Sequence, residues 1–171
     1  MSQAFDSVVR LNPLDGLTTT IPGLATSWEM SPDGLTYTWN IRQGVQFHDG
    51  EVLTSEDVAM SHRKIMNQGE FATETYEGFP SRYAGSLEMC IDNQAVDAST
   101  VVSTLKYPRG YFLEMMAGPA KGIYNEKTVK GDELDLSQNA APGTGPYVFV
   151  EHRTEELTRF KANPNYWNPA L

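Results

Sequence analysis

The chain has 171 residues and a formal net charge of −9, the reverse of the basic footprint that nucleic-acid binding needs and unfavourable on an anionic membrane surface. Its 40% apolar and 11% aromatic content suffices for a packed core, so one ordered domain, or one plus a piece of another, is expected rather than disorder. Cys90 is the single cysteine, which excludes an intrachain disulfide, and no apolar run approaches the ~20 residues of a membrane helix.

The first six residues lack the basic and apolar regions of a signal peptide. Residues 5–11 read as a helix end or short strand running into the turn Asn12-Pro13-Leu14-Asp15-Gly16. Tyr37, Trp39 and Ile41 then alternate with Thr36, Thr38 and Asn40, the period of a strand with one buried face. Trp28 and Met30 flank Glu29 in the same rhythm. Between the two runs, Ser31-Pro32-Asp33-Gly34 supplies a preset φ, a local acceptor and a residue tolerant of positive φ, the parts of a hairpin turn. The expectation is a hairpin with Trp28, Tyr37, Trp39 and Ile41 in its core. Thr54 next caps a helix whose first turn carries Glu56 and Asp57 at the positive end of the dipole. Val58, His62 and Ile65 share one face at i, i+4, i+7, and the helix should fade over residues 67–69. His62 is read as a partly buried, hydrogen-bonded imidazole rather than a metal ligand.

Residues 70–85 are polar with aperiodic aromatics, a long loop with a short helix. Two strands are expected at 86–91 and 100–106, around residues 92–99. In the first, Leu87, Met89 and Ile91 alternate with Glu88 and Cys90, which makes Cys90 a small strand residue and not a reactive thiol. In the second, Val101, Ser103 and Leu105 oppose Val102, Thr104 and Lys106. Pro108 ends it, and residues 111–116 form a short helix stopped by Gly118-Pro119. Residues 127–141 are loop or helix. Residues 147–150, apolar on both faces, read as a central strand paired with 157–162 before Asn163-Pro164.

Catalytic chemistry is not indicated. His48-Asp49-Gly50-Glu51 groups an imidazole with carboxylates, but His62 and His152 stand at no metal-ligand spacing, and Asp49-Gly50 explains itself as a tight reversal. There is no phosphate-binding Gly-Lys-Ser/Thr loop, no Gly-x-Ser-x-Gly elbow and no serine with an identifiable base. Neither a metal nor another cofactor is expected, and the chain does not read as an enzyme.

Several motifs together resemble one family. Leu24-Ala25-x-Ser27-Trp28-Glu29, Asp33-Gly34-x-Thr36-Tyr37-Thr38, Gly44-Val45-x-Phe47-His48-Asp49-Gly50 and Leu53-Thr54-x-Glu56-Asp57-Val58 are followed by Gly143-Thr144-Gly145-Pro146-Tyr147 and Asn163-Pro164-Asn165-Tyr166-Trp167. This order resembles the family 5 extracellular solute-binding proteins, the peptide, nickel and opine receptors of ABC importers. The resemblance implies an α/β fold (α+β-like, mostly antiparallel strands with short helices) forming part of a periplasmic-binding-protein-like lobe. It implies a small subdomain of the first lobe over residues 1–140, a return into that lobe's main sheet over 141–171, and a second lobe absent from this chain, which would then be a fragment. It implies capture of a solute, an oligopeptide or dipeptide above all, for ABC permease subunits, in a periplasmic or extracellular, membrane-associated setting. Residues 117–123 and 143–147 correspond to family regions near the cleft, so Lys121, Gly145 and Tyr147 are the candidate ligand contacts. A solvated loop lysine and a core tyrosine are the alternative readings of Lys121 and Tyr147. The tryptophans are read as packing residues. A nickel-chelate or opine receptor, and a stand-alone interaction or oligomerisation module self-associating through exposed sheet surface, are the alternatives for the whole chain.

Overall fold

The computed structural model describes residues 3–66, 68–71, 88–118, 121–130 and 141–168, with the backbone alone at 70, 129 and 130. In chain order the strands and α-helices are β1 (Val9–Leu11), β2 (Thr20–Pro22), β3 (Ala25–Met30), β4 (Thr36–Ile41), α1 (Ser55–Ile65), β5 (Cys90–Asp97), β6 (Thr100–Leu105), α2 (Phe112–Met116), α3 (Glu126–Lys130), β7 (Tyr147–Arg153) and β8 (Leu157–Ala162). Every strand pair is antiparallel: β1 with β2, a four-stranded sheet in the order β3-β4-β6-β5, and a β7–β8 hairpin.

The four-stranded sheet follows from its period-2 pattern. Tyr37, Trp39 and Ile41 of β4 and Val101, Ser103 and Leu105 of β6 are all buried on one face. Trp28 is half-buried against that face, opposite Trp39 in register. Phe112 of α2 closes the aromatic layer, its ring 4.7 Å from Tyr37 and 6.3 Å from Trp39. The turn joining β3 and β4 forms as its residue types dictate. Asp33 Oδ1 accepts from the Ser31 hydroxyl at 2.6 Å and the Leu35 amide at 3.0 Å, and Gly34 takes φ +70°.

α1 covers the same core and starts at a complete capping box. Thr54 Oγ1 accepts from the Asp57 amide at 3.2 Å, and Asp57 Oδ2 accepts from the Thr54 amide at 2.7 Å. Val58, His62 and Ile65 are buried, as their spacing predicts. His62 departs from expectation in two respects: it is wholly buried, and neither ring nitrogen meets a hydrogen-bond partner among the described residues.

Three expectations are corrected. The strand placed at 86–91 is β5 at Cys90–Asp97, so most of the anticipated 92–99 connection is strand and the turn is confined to residues 98–99. β5 lies at the sheet edge, where polar Asp92 and Gln94 can face water while remaining in the ladder. The expected alternation is also broken: Met89 and Cys90 are both buried and Ile91 is 54% exposed, with the register shifting between Cys90 and Asp92. Finally, β7 is no central strand among the described residues. It pairs with β8 alone and leaves Tyr147 and Val150 exposed. Leu87 and the loop expected over 72–85 lie outside the described residues, as does 131–140; residues 69–71 form a single 3-10 turn.

The capping box sets a stability expectation. Thr54→Ala should lower the unfolding free energy by about 1 kcal/mol, read as a lower urea midpoint with unchanged m value and far-UV circular dichroism.

Candidate functional site

Residues 143–147 are held by the backbone of residues 3–5 and by the ring of His48. The Gly145 amide donates to the Ala4 carbonyl and the Tyr147 amide to the Gln3 carbonyl, each at 3.1 Å. Such close approach explains the two glycines. A Cβ on Gly145 would stand 2.6 Å from Ala4 C and from Gln3 O, and one on Gly143 would overlap the Ala4 carbonyl outright. His48 staples the loop from the other side. Its Nδ1 accepts from the Gly143 amide at 3.3 Å, which places the ring proton on Nε2, and this nitrogen donates to the Gly145 carbonyl at 3.0 Å. The Asp49-Gly50 reversal forms as expected, with Gly50 at φ +89°. Asp49 also reaches across to accept from the Asn125 amide group at 3.0 Å.

Asp6 lies at the centre of these segments and is 6% exposed. Its Oδ2 accepts from Trp167 Nε1 at 2.8 Å and Thr144 Oγ1 at 3.2 Å, and its Oδ1 accepts from the Tyr166 hydroxyl at 3.1 Å. Its carbonyl accepts from the Ile123 amide at 3.0 Å. Burial raises the Asp6 pKa above the ordinary carboxylate value; the Trp167, Tyr166 and Thr144 bonds and then the Arg10 charge pull against it. Trp167, half-buried, lies 4.5 Å beneath the Arg42 guanidinium carbon and 5.5 Å from that of Arg10.

The sequence-derived candidates fall in two places. Gly145 and Tyr147 share the stapled loop. Both polar backbone groups of Gly145 are engaged, its carbonyl also accepting from Asn163 Nδ2 at 3.1 Å, whereas Tyr147 is 42% exposed at the start of β7. Lys121 sits two residues before Ile123 and is 4% exposed, so it is not a solvated loop lysine. Burial pushes its pKa down to about 8. His62 lies near it, and desolvation followed by the Lys121 charge pushes the His62 pKa down to about 3, against a smaller opposing influence of Asn93. Asp6, Tyr166 and His48 were not singled out as site-forming residues in the sequence. Asp6 carries no local pattern, and only its proximity to three donors from distant segments marks it. Among the described residues no group of three or more His, Cys, Asp or Glu side chains could hold a metal ion.

Residues 19–171 match the family described as bacterial extracellular solute-binding proteins, family 5 Middle. The chain belongs to this family. Similar relatives include di/tripeptide-binding protein 2 of Pseudomonas aeruginosa, 35% identical over 91% of this chain and 32% of its own length. Heme-binding protein A of Haemophilus influenzae is 30% identical over 89% of this chain and 31% of its own length. Among solved structures, the ABC transporter-associated periplasmic binding protein DppA from Helicobacter pylori, in complex with the peptide STSA, superposes with a TM-score of 0.82 at 27% identity. That superposition covers 98% of this chain and 35% of the other. The chain therefore spans about a third of the length of the relatives it matches. The fold is that of part of a periplasmic binding protein, and the solute-binding family is the setting in which the stapled loop has to be understood.

Two measurements follow from this geometry. Gly145→Ala should cost about 1–3 kcal/mol in a urea melt through overpacking, whereas Gly110→Ala, which meets open space, should stay within about 0.5 kcal/mol of wild type. For His62 the folded-state pKa is depressed below the unfolded value of 6.5, so the unfolded chain binds the extra proton and stability falls as pH drops from about 6.5 towards about 3. His62→Leu should reduce the stability lost between pH 6 and pH 4 by about 2 kcal/mol, measured by thermal melts across that range.

Proposed function

We propose that this chain forms part of the ligand-receiving body of an ABC importer's solute receptor, and that the solute is a short peptide. The observation that carries the peptide reading is the similarity to a relative named for di- and tripeptides, over nine-tenths of this chain. The stapled loop supports a receptor role because it holds a partly exposed aromatic, Tyr147, on a backbone fixed at both ends. On this reading the Tyr147 ring offers a face to a peptide, Gly145 sets the loop's path, and Lys121 retains its positive charge through neutral pH to attract a carboxylate. Residues 1–140 form the small subdomain of the first lobe and 141–171 the return into its main sheet, with Asp6 bonding across that division. The receptor works outside the cytoplasmic membrane or in the periplasm, close to its permease subunits. The exposed Val150 and Leu157 of the β7–β8 hairpin make the isolated chain prone to self-association.

These 171 residues supply one wall of the binding cleft, and a single wall cannot bury the 70–90% of a small ligand that tight capture requires. Calorimetric titration of the isolated chain with di- and tripeptides should give dissociation constants no tighter than about 1 mM; micromolar one-to-one binding would overturn the one-wall reading. In the receptor that contains this stretch, di- and tripeptides should bind saturably at micromolar concentration. Tyr147→Ala should weaken them about tenfold with little change in melting temperature. Saturable binding of a nickel chelate or an opine, with none of peptides, would replace the peptide reading.

A further inference from the structure

The Asp6 side chain, from far outside the 143–168 region, bonds to both halves of it, and the Asp6 carbonyl bonds to the segment after Lys121. We infer that Asp6 is the positioning residue of the binding surface, the group that sets the 121–123 and 143–147 loops relative to each other. The inference rests on the ligand-facing reading of Lys121 and Tyr147 for its functional meaning, but the positioning itself does not.

The chemistry favours this role. Three donors converge on one carboxylate: an indole N–H, a phenol and a threonine hydroxyl, at 2.8, 3.1 and 3.2 Å. They come from two segments, of which 143–147 also bonds the backbone of residues 3 and 4, while Tyr166 and Trp167 reach this region through the Asp6 carboxylate. Thr144 is wholly buried, so its hydroxyl released from Asp6 meets little water in return, while Tyr166 and Trp167 are half-buried. The charge is supported by Arg10, four residues along the same segment, whose guanidinium also lies over the Trp167 ring. Removing the acceptor therefore takes one shared partner from three donors at once, and the loops should open locally before the sheet does.

The bonding pattern also separates geometry from charge. An asparagine at this position can accept from Trp167 and Thr144 with its oxygen and donate to the Tyr166 oxygen with its nitrogen, because a phenol both donates and accepts. Asp6→Asn should then preserve the loops, whereas Asp6→Ala should release them.

Amide and indole hydrogen exchange on the protein carrying this chain provides the test. In Asp6→Ala, the Trp167 indole proton and the amides of Ile123, Gly145 and Tyr147 should exchange at least about tenfold faster, while those of Trp39 and Leu105 in the four-stranded sheet stay at the wild-type rate. Asp6→Asn should restore the loop rates. Wild-type exchange of the loops in Asp6→Ala overturns the inference. So does equal acceleration of loop and sheet amides in both variants, since that marks a general structural role. In the receptor that contains this stretch, peptide affinity should fall in Asp6→Ala and recover in Asp6→Asn. If loop exchange responds as expected and affinity does not, the positioning role stands and the ligand-facing reading of Lys121 and Tyr147 is the part that fails.

Discussion

Trp39 is wholly buried at the centre of the four-stranded sheet, so its indole N–H has no water to bond and must find an acceptor inside. It donates to Ser103 Oγ at 2.9 Å, and the Ser103 hydroxyl in turn donates to Asn93 Oδ1 at 2.6 Å. The Asn93 amide group then donates to Gln68 Oε1 at 3.1 Å and lies against the sulfurs of Met66 and Cys90. One polar line thus runs from β4 through β6 to the edge strand and on to the residues that follow α1. Apolar burial alone would tolerate several registers of these strands, but each link in this line is satisfied in only one of them. The remaining elements are built on a sheet whose register is fixed from within.

α1 extends that order outward. Its first turn is closed by Asp57, which completes the capping box with one carboxylate oxygen and accepts from the Glu126 amide with the other at 2.6 Å. Ser61, one turn later, exchanges hydrogen bonds with both backbone groups of Tyr124. The chain from Lys121 to α3 therefore takes its position from the helix, and through Ile123 it meets Asp6. This mostly buried stretch is held firmly because its anchors, Asp57 and Ser61, are buried side chains on a regular element.

Much of this was legible in the sequence where the signal is local. The alternation in β4 and β6, the turn at residues 31–34 and the cap at Thr54 each depend on neighbours within a few positions, and all formed as read. β5 lies further along the chain than its apolar alternation predicts because an edge strand needs no apolar face on its outer side, and its register shift breaks the parity on which a period of two depends. His62 differs in degree: helical spacing places it on the inner face but cannot say that its nitrogens meet no partner there among the described residues. The grouping around Asp6 was invisible for a different reason. Phe5-Asp6-Ser7 has no periodicity, and the donors that give Asp6 its meaning lie up to 161 positions away. The Gly143-Thr144-Gly145-Pro146-Tyr147 motif could be recognised as a family mark, while the reason for its glycines became plain only from the backbone lying against them.

That long reach shapes how the molecule assembles. The Thr144 bond to Asp6 closes a loop of 138 residues, against 13 for the Asn40–Ser27 contact across the first hairpin. By chain-closure entropy the longer loop costs about 2 kcal/mol more to close. The sheet and α1 can form from contacts made as the chain is synthesised, and Ser7 and Val8 can bond residues 23–25 early, but the Gln3 and Ala4 carbonyls and the Asp6 carboxylate stay solvated until residues 143–167 have emerged. Gln3, Ala4 and Asp6 thus emerge well before the residues they bond and are completed only after them.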